Sequence, residues 1–316
     1  MSFEVRDEDD RLTLFPLRHP DLYEFGKRAV ASFWTAQEID LSKDGSDYAT
    51  LSFDEQTVLR SVLGFFSAAD GIVMKNINMN FLNENVPMEC TYFYAIQNAS
   101  EAIHAETYSL LIDSIIPGAL KDETFAAIKS IPAVRKKAKW AQQHLNNDGS
   151  YHSKLLVFIC VEALFFSSSF AIIFWFRRKN GILKGLANAN DFIARDEALH
   201  VEFGLAVYKK LGAVDPHAVN TILEAVQHEF EFIDSIFPAS GALGDLTGED
   251  MKTHVKSIAN YIAVSIGHGL IFEATKTPFE FMKRQHVDSK SNFFETRETN
   301  YKKFTPSCEL NTTSDF

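Results

Sequence analysis

Apolar residues recur at three- and four-residue intervals over long stretches of this chain, while strict alternation is scarce. That period puts the apolar positions on one helical face, so the pattern predicts helices rather than strands. Breaks at Pro, Gly and Asn divide it into helices over 21–34, 54–84, 88–116, 122–146, 151–178, 186–211, 216–237 and 249–275. SFDEQ (52–56) offers a Ser or Asp to cap the second of these, and Pro87, Pro117, Gly149 and Gly181 mark turns. The expected fold class is all-α.

One segment, LLVFICVEALFFSSSFAIIFWF (155–176), is apolar all round and is followed by RRK (177–179). It is long enough to raise a membrane span, but Glu162 lies inside it, and the middle helix of a bundle is also apolar on every side. The central helix is the expected reading, with no membrane partner. From about residue 285 the periodicity gives way to polar text ending in Phe316, with Leu310 and Asp315 before it. The expected organisation is an N-terminal segment (1–20), a helical domain (21–284) and a flexible C-terminal tail (285–316). Such a tail is either plain disorder or a peptide that orders on a partner through its terminal aromatic and carboxylate.

Composition narrows the function classes. Hydrophobic residues make up 46 % of 316 and charged residues 23 %, enough apolar material for a large core, and 28 Phe make that core aromatic. The formal net charge of −11 and the lack of a basic run argue against nucleic acid as a partner. Cys90, Cys160 and Cys308 are far apart and form no CxxC, which points to a reducing compartment, the cytoplasm, and away from zinc or a disulfide framework. MSFEVRDEDD is acidic and lacks the apolar centre of a signal peptide. No Gly-rich phosphate loop occurs, so the chain is not expected to bind nucleotide itself.

The chemistry sits in a repeated device. Glu-x-x-His occurs at Glu101/His104 and again at Glu197/His200, and each is preceded by an acid inside an apolar helix, Asp70 and Glu162. Asp70 lies 31 residues before Glu101, and Glu162 lies 35 before Glu197. The midpoints of both intervals fall at predicted turns, NENVP (83–87) and RKNG (178–181). In antiparallel hairpins this spacing brings each acid level with its Glu-x-x-His. Four carboxylates and two imidazoles cannot share a dry interior without compensation, and a pair of divalent cations supplies it. Oxygen-rich ligation with one imidazole per ion suits iron or manganese better than zinc. On the same helical face as Glu101 and His104 lies Tyr108.

FWTAQEIDLSKD (33–44), ADGIV, SEAIHAETYSLLID, VEALFFSSSFAIIFWF, RDEALH and NFFETRETNY (292–301) occur in that order. Together they resemble the small subunit of class I ribonucleotide reductase, over nearly the whole chain. The resemblance implies a ferritin-like bundle with additional helices, a homodimer and a di-iron centre, with manganese as the alternative, activated by O2. It implies that Asp70, Glu101 and His104 bind one metal and Glu162, Glu197 and His200 the other, with Glu101 bridging. Tyr108 would be oxidised to a stable radical in an apolar pocket lined by Phe166, Phe170 and Ile193. Trp34 and Asp196 would form a hydrogen-bonded chain from His104 toward the surface, and Tyr301 would relay the radical along the tail to a large catalytic subunit. Two other readings stay open on the residues alone: a ferritin-like oxidase acting on a small molecule, and a metal-storage or structural helical protein.

Overall fold

The computed structural model describes residues 11–82, 86–145, 149–212, 215–273 and 276–279. Twelve α-helices occur among them: α1 (Pro20–Ala31), α2 (Asp44–Tyr48), α3 (Phe53–Asn76), α4 (Met88–Ile115), α5 (Gly118–Phe125), α6 (Ala127–Ser130), α7 (Pro132–Leu145), α8 (Tyr151–Cys160), α9 (Phe166–Asn180), α10 (Lys184–Leu211), α11 (Ala218–Ile236) and α12 (Gly248–Ser265). A π-helical turn, Ile77–Phe81, extends α3, and a second, Val161–Phe165, joins α8 to α9. The long helices α3, α4, α8–α9 and α10 form the bundle, with α1, α7, α11 and α12 packed around it. The only strands among the described residues are a short antiparallel pair, Ala242–Leu243 with Leu246–Thr247. The all-α, ferritin-like expectation therefore holds.

Local chemistry sets the boundaries. Ser52 caps α3, its hydroxyl accepting from the Glu55 amide at 3.3 Å while Glu55 Oε2 accepts from the Ser52 amide at 2.8 Å. Pro87, Pro117 and Pro132 stand where helices begin, positions at which a missing N–H costs nothing. The turn between α9 and α10 uses Gly181 at φ +62°, a conformation glycine enters without a Cβ clash. The start of α10 is fastened by α2: Asp47 Oδ2 accepts from the Leu183 amide at 2.8 Å, and Asp44 accepts from the amides of Gly185 and Leu186 at 3.2 and 3.0 Å. Gly185 is required there, because a Cβ would collide with the Asp44 carboxylate.

Three predicted elements differ from those observed. The helix expected over 122–146 is three pieces, because Ala126 leaves helical geometry and Pro132 restarts it. The helix expected to reach 275 stops at Ser265, where Gly267 adopts φ +91° and Asn260 Oδ1 accepts from the returning amides of Ile271 and Phe272 at 3.0 and 2.9 Å. The first helix ends at Ala31 rather than 34, which frees Trp34 to turn inward. The folded body also begins earlier than residue 21: Glu89 on α4 accepts from the Arg11 guanidinium at 2.6 Å and the Arg18 amide at 2.7 Å.

The apolar segment raised as a membrane span forms the centre of the bundle. Tyr151–Lys179 and Phe53–Phe81 are both long and apolar enough to cross a membrane, but the most apolar window of the former is 94 % buried within the fold. Its hydrophobic surface is consumed by α7, α10, α11 and α12 rather than left for lipid. Cys90 and Cys160 are buried free thiols, whose ionisation burial opposes. Cys308, the tail and Tyr301 lie outside the described residues.

Candidate metal centre

Each hairpin carries its acid and its Glu-x-x-His to the middle of the bundle. Asp70 (α3), Glu101 and His104 (α4), Glu162 (π turn) and Glu197 and His200 (α10) are all buried, none more than 2 % exposed. Ligand atoms of Glu101, Glu162, Glu197 and His200 lie within 4.8 Å of one another. His200 Nδ1 faces Glu101 Oε1 at 3.1 Å, Glu162 Oε2 at 3.2 Å and Glu197 Oε2 at 3.0 Å. His104 Nδ1 faces Glu197 Oε1 at 3.0 Å and Glu101 Oε2 at 3.4 Å. Glu101 and Glu197 thus each face both imidazoles, whereas the sequence reading singled out only Glu101 as a bridge.

This donor set fits a pair of cations. Both Asp70 oxygens and Glu162 Oε1 are buried without a hydrogen-bond partner among the described residues, and Glu101 Oε2 and Glu197 Oε1 have only the His104 imidazole beside them, out of hydrogen-bond alignment. Native interiors rarely leave so many polar atoms unsatisfied in one place. His104 directs its Nε2 to Asp196 Oδ2 at 3.3 Å, the arrangement that fixes the orientation of a metal-bound imidazole. The position of Glu162 within a π turn also fits, since such turns concentrate at functional sites.

In the protein without metal, protons take the place of cations. Burial pushes the carboxyls of Asp70 and Glu162 well above the usual carboxylate range, reinforced by neighbouring carboxylates. Burial works against the imidazolium at His104 and His200, but the surrounding carboxylates outweigh it and hold both well above 6.5. Glu197 is held low: burial would raise it, but its contacts with Glu162, His200 and His104 prevail. A raised folded-state value means the folded chain binds more protons than the unfolded one, so stability falls as pH rises. The metal-free protein is therefore expected to lose thermal stability as pH rises, through Asp70 and Glu162 from the ordinary carboxylate range at about pH 4, and additionally through His104 and His200 from about pH 6.5 upward. In that upper range Glu197 is ionised in both states and contributes no slope. Metal displaces these protons, so loading is expected to flatten the dependence and release acid, measurable by calorimetric melting at several pH values and by proton release.

Tyr108, one turn beyond His104, is 1 % exposed, and its hydroxyl has no hydrogen-bond partner among the described residues. Its ring stacks on Phe66, centroids 4.6 Å apart and planes within 7°. Phe66 in turn stacks on Phe170 at 5.0 Å and meets Phe166 edge-on at 5.5 Å. Ile193 is buried on α10, one turn before Glu197. Burial pushes the Tyr108 phenol well up, and Asp70, Glu197 and Glu101 push it the same way. Sequence reasoning missed Phe66, although it lies one turn before Asp70 in FFSAAD and so shares its helical face.

Trp34 comes from the loop after α1. Its Nε1 donates to Asp196 Oδ2 at 2.7 Å, the same oxygen that faces His104. Arg195 holds the other oxygen, with Nε and a terminal nitrogen 3.2 and 2.9 Å from Asp196 Oδ1. Asp196 stays below the usual carboxylate range despite burial, because His104, Arg195 and Trp34 all favour its anion. Arg195 is the second residue that the sequence did not nominate. Beside the cluster lies a cavity of about 50 Å³, bordered by Glu162, Phe170, Glu197, Glu202 and Tyr261 among others.

A family model described as "Ribonucleotide reductase, small chain" matches residues 11–278. The chain belongs to the ribonucleotide reductase small-chain family. The ribonucleoside-diphosphate reductase small chain of Plasmodium falciparum is 41 % identical over 309 residues, covering 95 % of this chain and 85 % of that protein. Among solved structures, the ribonucleotide reductase Rnr4 homodimer of Saccharomyces cerevisiae matches with a TM-score of 0.77 and 27 % identity, over 86 % of this chain and 87 % of that one. The dimanganese(II) NrdF of Streptococcus sanguinis shares the fold, with a TM-score of 0.77 at 18 % identity over 87 % of this chain and 99 % of that one. Small chains of this family use a dimetal centre of iron or manganese, and the clustered carboxylates and histidine of this member can bind one.

Proposed function

We propose that this chain is the radical-generating small subunit of a ribonucleoside-diphosphate reductase, and that Tyr108 carries the radical. The observation that carries this reading is the juxtaposition of a buried, unpartnered phenol with the carboxylate–imidazole cluster on the same helix. Asp70, Glu101 and His104 would hold one ion and Glu162, Glu197 and His200 the other, with iron as the first choice and manganese as the alternative. When bound, the dimetal centre supplies, with O2, the one-electron oxidising equivalent that a phenol requires.

The side chains of this protein do the rest. Removing the Tyr108 proton alone is opposed by burial and by three carboxylates, so the side chain is held as the neutral phenol until it is oxidised. Phe66, Phe166 and Phe170 exclude water and hydrogen donors from the ring, which lets an oxidised phenol persist. The Trp34–Asp196–His104 chain can pass an electron inward, so that the oxidising equivalent moves outward, while the proton on Trp34 Nε1 shifts toward Asp196 Oδ2 as the indole is oxidised. The roles of Tyr301 and of the tail as the contact with a large subunit follow from the family resemblance, as does the homodimer, while the cytoplasmic setting rests on the scattered cysteines and the domain limits 21–284 on the run of apolar periodicity. The dimanganese relative supports manganese as a second metal, and the yeast homodimer supports pairing of two copies.

The rival oxidase of small molecules is disfavoured by space. Binding sites for organic substrates run to about 300–1,000 Å³, whereas the cavity beside this cluster holds about 50 Å³, room for O2 or water.

Assay with a large subunit tests the reading. Deleting residues 301–316, or replacing Trp34 by Phe, is expected to leave metal uptake and the tyrosyl signal unchanged. Ribonucleoside diphosphate reduction should fall to background in both. Full reduction by the truncated chain would remove the tail from the mechanism, and full reduction by the Trp34 variant would remove the relay.

A further inference from the structure

Away from the metal cluster, three buried polar side chains meet in an otherwise apolar part of the core. Lys137 on α7, Glu229 on α11 and Ser168 on α9 are each no more than 1 % exposed. Lys137 Nζ lies 2.7 Å from Glu229 Oε2, and Ser168 donates its hydroxyl to Glu229 Oε1. The ammonium is caged by aromatic faces, 3.5 Å from the Phe65 centroid and 4.0 Å from that of Phe232. Burial pulls Lys137 down to about 8 and pushes Glu229 up, against the attraction between them.

A buried ion pair is a poor stabiliser, because desolvation cancels most of its attraction and apolar replacements are often neutral. What it supplies here is direction. Lys137 Nζ also donates to the backbone carbonyl of Phe165 at 3.2 Å. Phe165 is the last residue of the π turn Val161–Phe165, and Ser168 lies three residues further on. Two neighbouring helices therefore grip the chain at the point where π geometry returns to α. A π turn carries one more residue than an α turn and is rare without outside support. Slippage by that residue would swing Glu162 by about 100° around the helix, away from the cluster.

We infer that Lys137, Glu229 and Ser168 are positioning residues that hold the π register of Val161–Phe165 and so aim Glu162 at the metal site. The inference rests on the proposed dimetal function. A charge-neutral pair of substitutions, Lys137→Met with Glu229→Gln, removes the grip without leaving a lone buried charge. Manganese(II) binding, followed by the resonance of free ion, is expected to show one of the two sites weakened by about tenfold or more, the usual cost of losing support behind a ligand. The other site should be unchanged, and amide exchange should quicken within 161–169 while α4 keeps its protection. Two sites of unaltered affinity with unaltered exchange would overturn the inference. If the double variant does not fold, Ser168→Ala, which keeps the ion pair, is read the same way: one-site weakening supports the inference, and two unchanged sites overturn it. Binding by the unaltered chain separates the two levels, since failure to take up a pair of ions there would refute the dimetal reading itself.

Discussion

Replacing Tyr108 by Phe is expected to abolish ribonucleotide reduction while leaving the protein folded and able to load metal. The phenol oxygen is buried and has no hydrogen-bond partner among the described residues, so its removal orphans no other group. The ring itself, stacked on Phe66, is retained. Deleting an unsatisfied buried hydroxyl is close to neutral or mildly stabilising, so unfolding free energy should stay within about 1 kcal/mol of the unaltered chain. Metal content, denaturant unfolding and activity with a large subunit check the three parts together. Loss of activity accompanied by loss of metal would mean that Tyr108 supports the site rather than carries the radical.

Glu197→Ala is expected to act at the other end of the same chemistry. Glu197 is the nearer of the two carboxylates that meet both imidazoles, at 3.0 Å from His104 and 3.0 Å from His200. Its removal should lower metal uptake to one ion per chain or fewer, and abolish both the tyrosyl signal and nucleotide reduction. In the metal-free protein it also strips two buried imidazolium groups of one of their two shared counter-ions, and breaking a buried pair from one side costs about 3–5 kcal/mol. Metal analysis and urea unfolding of the metal-free chain measure the two effects. Normal metal uptake and normal activity in this variant would leave the carboxylate cluster a purely structural feature.

The helices were legible in the chain because each long one has an apolar face, and the hairpin geometry was legible because Asp70–Glu101 and Glu162–Glu197 straddle their turns. That spacing alone anticipated the convergence of Glu101, Glu162, Glu197 and His200. Pro132 was a readable signal for the break within 122–146 that the periodicity of KKAKW masked. The π turns were not legible, because nothing local separates VEALF from an α-helical sequence; the extra residue is accommodated by neighbours distant in the chain. Phe66 looked like any other core aromatic. Lys137 and Glu229 sit in KKAKW and QHEFEF, charged strings that read as solvated helix faces, and only the packing of α7 against α11 buries them. Trp34 could be nominated only through the family resemblance, since its partner Asp196 is 162 positions away.

The most direct test of the account is electron paramagnetic resonance of the metal-free protein after addition of Fe(II) and O2. The account predicts a tyrosyl signal that is missing from Tyr108→Phe under the same loading. Uptake of iron with no tyrosyl signal, or a signal that persists in Tyr108→Phe, would contradict it.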